Sequence, residues 1–230
     1  MKAAVIIFPG SNCDNDAKLA LEKLLNAEVS MVWHNNTSIP KVDLVILPGG
    51  FSYGDYLRPG SIASKSKIVE DVINKGKKGT PILGICNGFQ ILTETKLLPG
   101  VLIRNSNLKF ICENTFLKVE NNSSIFTSNY KYNEIINIPI AHHDGNYFAD
   151  ENTIKKIEDS NMIVFKYCEK NGSISKNSNP NGSIKNIAGV INKSGNILGM
   201  MPHPERAYDK LIGTVDGSKV FTSLLDKLLR

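Results

Sequence analysis

Pro81-Ile-Leu-Gly-Ile-Cys-Asn-Gly-Phe-Gln90 reads as a short, wholly apolar strand that runs into a helix through the turn Gly84-x-Cys86-x-Gly88. Glycines on both sides of the cysteine let the backbone turn sharply, which lifts Cys86 above the C-terminal edge of a sheet. Buried strands joined by helices define an α/β class. Upstream, residues 3–8, 29–33 and 44–47 have the same strand length and apolar character. Between them Asp14 and Asp16 open a helix whose broad apolar face carries Ala17, Leu19, Leu21, Leu24 and Leu25, and residues 68–77 form another. From about residue 100 the texture turns β-rich, with strands expected at 116–119, 163–167, 187–191 and 197–201, then a closing helix at 218–229. A central mixed, mostly parallel sheet flanked by helices is expected, in one domain spanning 1–230.

The chemistry starts from Cys86. A free thiol of pKa about 8.5 is only ~3% ionised at pH 7, and half-ionisation takes roughly 2 kcal/mol. A helix N-terminus supplies about 0.3–1 kcal/mol, so a nucleophilic sulfur there needs a base. Met200-Met-Pro-His-Pro-Glu205 offers one: His203 stands at a strand end between two prolines, with a carboxylate two residues on. Residues two apart in extended chain point the same way, so Glu205 can hold one imidazole nitrogen and leave the other to Cys86. A lone cysteine is usually a small buried hydrophobe, and a lone His-Pro-Glu is usually a surface turn; together with the glycine-bracketed turn they read as nucleophile, base and orienter. A third piece, Leu47-Pro-Gly-Gly-Phe-Ser-Tyr-Gly-Asp55, follows a strand and opens at the same sheet edge. Its Gly50 N–H is expected to join the Asn87 N–H as an oxyanion hole, a contribution of about 10²–10³ in rate. Neither this loop nor Pro9-Gly-Ser-Asn12 has the spacing of a phosphate cradle, so no nucleotide is expected on this chain.

Composition excludes other classes. Hydrophobic residues make up 41% and charged residues 21%, ordinary for a packed globular chain. The net charge of +5 is spread over scattered lysines, and the densest group, Lys75, Lys77 and Lys78, closes a helix without interleaved aromatics, so no nucleic acid is expected. Residues 1–8 are too short for a signal segment and no apolar run reaches about 18 residues, so a cytoplasmic protein without membrane contact is expected. Four cysteines without a C-x-x-C pair imply reduced thiols and no metal site. Between 169 and 186 the stretch N-G-S-I-S-K-N is nearly repeated as N-G-S-I-K-N, which reads as a surface hairpin or mobile loop.

The order Gly-Gly loop, G-x-C-x-G, then His-x-Glu resembles the class I glutamine amidotransferases. Pro9-Gly-Ser-Asn-Cys-Asp14, Pro48-Gly-Gly-Phe-Ser-Tyr-Gly-Asp-Tyr-Leu-Arg-Pro-Gly60, Gly84-Ile-Cys-Asn-Gly-Phe-Gln90, Lys109-Phe-Ile-Cys112 and Met201-Pro-His-Pro-Glu-Arg206 are similar to the family of glutaminase subunits of phosphoribosylformylglycinamidine synthases. That resemblance implies a flavodoxin-like fold, a triad of Cys86, His203 and Glu205, and a substrate glutamine met by Gly49, Phe51 and Gln90. Ala141-His-His-Asp-Gly-Asn146 resembles the segment across that pocket and adds His142 as a candidate. It further implies a large synthetase subunit, with ATP and Mg bound there and no cofactor here, and a small accessory subunit. Two alternatives stay open: a class I glutaminase serving another synthetase, and a cysteine-elbow α/β peptidase or binding module.

Overall fold

The computed structural model describes residues 1–228. In chain order its elements are β1 (Lys2–Ile7), α1 (Asp14–Leu25), β2 (Glu28–Trp33), β3 (Leu44–Leu47), α2 (Lys67–Lys77), β4 (Ile82–Ile85), α3 (Asn87–Glu94), β5 (Val101–Ile103), β6 (Ile111–Val119), β7 (Ile135–His142), β8 (Asn146–Phe148), α4 (Glu151–Asp159), β9 (Ile163–Cys168), β10 (Ile187–Ile191), β11 (Ile197–Met200) and α5 (Ser218–Leu228). The closing helix thus lies where the sequence places it, and the expected last residue, Leu229, falls outside the described residues.

Nine strands form one sheet in the order β2-β1-β3-β4-β11-β10-β9-β6-β7, and β5 pairs with β8 in a separate two-stranded ribbon. The first five are mutually parallel, while β10 and β6 run against the others and make the remaining pairings antiparallel. Strands β3, β4, β10 and β11 are buried along their whole length, which requires cover on both faces of the sheet. Their apolar runs therefore lack alternation. Edge strand β2, by contrast, exposes its first and last residues. The helices α1 and α5 pack against each other, and α3 packs on β3, β4 and β11.

Strands β5, β7 and β8 were not among those expected, and two further elements were hard to see from the sequence. β6 begins five residues before the expected 116, because Ile111, Cys112 and Glu113 extend the strand into solvent against β7. Helix α4 has a strong polar start in Asp150, whose side chain accepts the N–H of Thr153, yet only Ile154 and Ile157 are buried. A short helix with two buried anchors leaves little periodicity to read.

Candidate active site

The site grows from the parallel pairing of β4 with β11, in which Gly84 faces Gly199 and Ile85 faces Met200. Both strands end at the same edge. The chain leaving β4 turns at Cys86, which adopts φ 49° and ψ −104°. That is a conformation a non-glycine residue holds at a cost of about 1–3 kcal/mol, and only surrounding structure keeps it there. Three contacts do so: Cys86 N–H donates to Met200 O at 2.8 Å, Cys86 O accepts the Gln90 N–H at 3.1 Å, and the thiol reaches Ala141 O at 3.5 Å. Gly88 is required by packing, since a Cβ there would sit 1.9 Å from Leu47 O. The closeness of α3 to the end of β3 thus depends on that glycine.

His203 follows β11, and its N–H donates to Pro139 O on β7 at 2.8 Å. Its Nδ1 lies 2.7 Å from Glu205 Oε1, with both side chains buried. Burial by itself favours the neutral imidazole, but Glu205, then the Cys86 sulfur and Cys13, outweigh it and hold the His203 pKa well above its ordinary value. The arrangement favours the imidazolium form of His203. Among the described residues, His203 Nε2 and Glu205 Oε2 are buried and have no hydrogen-bond partner.

The Gly-Gly loop interlocks with residues 9–13. Phe51 N–H donates to Gly10 O, Tyr53 N–H to Pro9 O, and Cys13 N–H to Gly49 O. Gly50 takes φ 146°, and an added Cβ would meet Gly10 O at 2.6 Å. A cavity of ≈ 180 Å³ is lined by Gly50, Phe51, Ala141 and His203, with Cys13 and Arg206 among its other walls. Asn87 opens α3, so its N–H has no intrahelical acceptor. Its side chain ties the loop to the turn: Oδ1 accepts from Ser52 N–H at 3.3 Å, and Nδ2 donates to Gln90 Oε1 at 2.8 Å and to Asp55 Oδ1 at 3.4 Å.

Cys86, His203, Glu205, Asn87 and Gly50 thus lie at one sheet edge. The other expected substrate contacts lie differently. Gly49 abuts His203, because an added Cβ would come within 2.6 Å of its Cε1. Phe51 stands at the rim, 39% exposed, its ring 6.1 Å from that of Phe110. Gln90 is buried and committed at both ends, its Nε2 donating to Asp144 O at 2.7 Å while its Oε1 accepts from Asn87. His142 is buried as well, with Nδ1 3.1 Å from Asn105 Oδ1 and Nε2 3.4 Å from Asn181 Nδ2. Asn105 Oδ1 can only accept and Asn181 Nδ2 only donate, so the proton belongs on Nδ1. Burial, reinforced by the charge of His203, pushes its pKa down to about 4. Both residues read as supports of the wall in this structure.

The segment 169–186 lies at the surface over residues 170–180, as expected, but its second half enters the interior. Asn181 is wholly buried and its Nδ2 donates to Gly145 O at 2.8 Å and to Tyr167 Oη at 3.2 Å. Ser183 Oγ accepts the Tyr147 N–H at 3.0 Å, and Asn186 Nδ2 donates to Tyr167 O and Ser175 O. Asparagine and serine give a polar sequence, yet here they satisfy one another and the backbone in the interior.

Reading by sequence spacing also passed over Cys13, Arg206 and the carboxylates Asp55 and Asp144. Arg206 Nη2 lies 3.1 Å from Cys13 Sγ, and its Nε 3.1 Å from Asp16 Oδ2. Burial, then the nearby Asp144, pushes Asp55 up to about 6 despite Arg104 and His143. The only signal for Cys13 and Arg206 was membership of the quoted blocks, since 193 positions separate the two.

A strained cysteine ahead of a helix, a buried imidazole–carboxylate pair and a glycine loop on one sheet edge define a cysteine-dependent amidotransferase architecture. The chain belongs to the CobB/CobQ-like glutamine amidotransferase domain family, whose sequence model matches residues 1–220. It is similar to a chain of the PurLQS structure from Thermotoga maritima, with 46% identity, 99% of this chain and 98% of that one covered, and a TM-score of 0.87. A glutamine amidotransferase from Thermotoga maritima, at 16% identity and TM-score 0.65, shares the fold over 100% of this chain and 98% of that one. So does the glutaminase domain of a Trypanosoma brucei CTPS with bound acivicin, at 13% identity, TM-score 0.64, and coverage of 100% and 94%.

Proposed function

We propose that this chain is the glutaminase subunit of a phosphoribosylformylglycinamidine synthase, releasing ammonia from glutamine for a partner synthetase in purine biosynthesis. The observation that carries the chemistry is Cys86 held at φ 49° above a sheet edge that it shares with the buried His203–Glu205 pair. The 46% identity to the PurLQS chain over nearly all of both chains supports the particular assignment.

On this reading the Cys86 thiolate attacks the side-chain carboxamide carbon. The oxyanion forms against the N–H groups of Asn87 and Gly50, and the His203 imidazolium gives its proton to the departing ammonia. A glutamyl thioester remains. The now neutral His203 takes a proton from water, which attacks the thioester, and glutamate leaves as the thiolate returns. Glu205 keeps the imidazole in register throughout. Ammonia in water at neutral pH becomes ammonium and ceases to be a nucleophile, so a partner that receives it directly is part of the function. The large synthetase subunit, carrying ATP and Mg, and a small accessory subunit fill that role in the proposed complex.

Cys86→Ala tests the reading in the reconstituted complex. Glutamine-dependent product should fall by at least about 10³-fold, while product formed from added ammonium salt persists. Equal loss of both activities would overturn it.

A further inference from the structure

Cys13 is a buried thiol that the proposed reaction does not use. Its Sγ, an imidazole nitrogen of His203 and a carboxylate oxygen of Glu205 all lie within 4.8 Å of one another. Gly49 shows how tightly they meet: a Cβ there would be 3.2 Å from Cys13 Sγ, 2.6 Å from His203 Cε1 and 3.3 Å from Nδ1. Two of the three side chains also carry buried, unpartnered atoms, His203 Nε2 and Glu205 Oε2. Both Cys13 and His203 line the ≈ 180 Å³ cavity, so an ion has a way in from solvent.

We propose that Cys13, His203 and Glu205 form a binding site for a zinc-like divalent cation, which on occupying the base silences the glutaminase.

One thiolate, one imidazole and one carboxylate suit Zn²⁺ and not Mg²⁺ or Ca²⁺, which take all-oxygen shells. Tetrahedral zinc, at about 2.3 Å from sulfur and about 2.0 Å from nitrogen or oxygen, needs donors roughly 3.3–3.8 Å apart. The His203–Glu205 pair, 2.7 Å apart, therefore has to open by about 0.6 Å, while Cys13 Sγ, within 4.8 Å of both, closes on them by rotation of its side chain. Water completes the shell. Arg206 opposes a cation by its charge but is itself paired with Asp16, and one of its N–H groups donates to Cys13 Sγ. The silencing arm rests on the proposed function; the binding arm does not.

Zinc sulfate titrated into the purified full chain, followed by zinc K-edge absorption, separates the two. One ion per chain is expected, with a single sulfur at about 2.3 Å and an imidazole in the shell. Cys86→Ala should keep that sulfur, and Cys13→Ser should weaken binding by at least ~10-fold. In the reconstituted complex, zinc should lower glutamine-dependent product and leave ammonia-dependent product unaffected. A shell of oxygen and nitrogen alone in the unaltered chain, or a sulfur that disappears in Cys86→Ala, would overturn the site. Zinc bound through Cys13 with undiminished glutaminase would leave the site and overturn the silencing.

Discussion

Asp55 shows how an ordinary residue type is made unusual by its place. Its φ of 57° is one that aspartate and asparagine tolerate better than most side chains, and its carboxylate faces Asp144 at the rim of the amidotransferase site. Held at about 6 in the folded chain, it keeps a proton that the unfolded chain has already released. The folded state then binds more protons than the unfolded one between roughly pH 4 and pH 6, so this group's stabilising contribution is full below that window and is lost as pH rises through it. Asp55→Asn removes the titration and retains an oxygen to accept from Asn87 Nδ2. Its urea midpoint should exceed that of the unaltered chain at pH 7.5, with the gap narrowing towards pH 4. Parallel midpoint curves across that range would show that Asp55 titrates normally.

At the scale of elements, the wall opposite Cys86 depends on a segment with almost no regular structure. Residues 169–186 lead from β9 into β10 and carry Asn181 into the interior, where it joins Gly145, Tyr167 and His142. His142 ends β7, the strand whose Ala141 O meets the Cys86 thiol and whose Pro139 O holds the His203 N–H. Asn181→Ala leaves these buried partners unsatisfied, a loss of about 1–3 kcal/mol for each group stranded. Thermal unfolding should shift down by several degrees, and amides in β7 should exchange faster than in the unaltered chain. A freely moving hairpin would show neither change. The first copy of the near-repeat lies at the surface as expected, but the second misleads, because polarity and turn residues signal a surface loop and a buried asparagine cluster has the same composition.

For the whole molecule, one nine-stranded sheet links the parallel strands that present Cys86 and His203 to the antiparallel strands behind them. The core is continuous from Ala3 to Leu224. Trp33, the chain's one tryptophan, sits on edge strand β2 with its ring 4.6 Å from that of His34, so its fluorescence reports the edge farthest from β7. Urea unfolding followed by that fluorescence and by far-UV circular dichroism should give coincident midpoints, as a single cooperative domain requires. Separate midpoints would divide the chain into two domains.

Local patterning by itself determined the apolar strands 44–47 and 82–85, the glycine-bracketed turn at Cys86 and the proline-flanked His203, because each depends on residues within a few positions. The common edge of Cys86 and His203 followed from strands ending in motifs. The long pairing of β6 with β7, the burial of Gln90, His142 and Asn181, and the placing of Cys13 beside His203 were decided only in three dimensions. A polar side chain goes inside only where distant partners satisfy it, and those partners are brought there by packing across the sheet rather than by nearness along the chain.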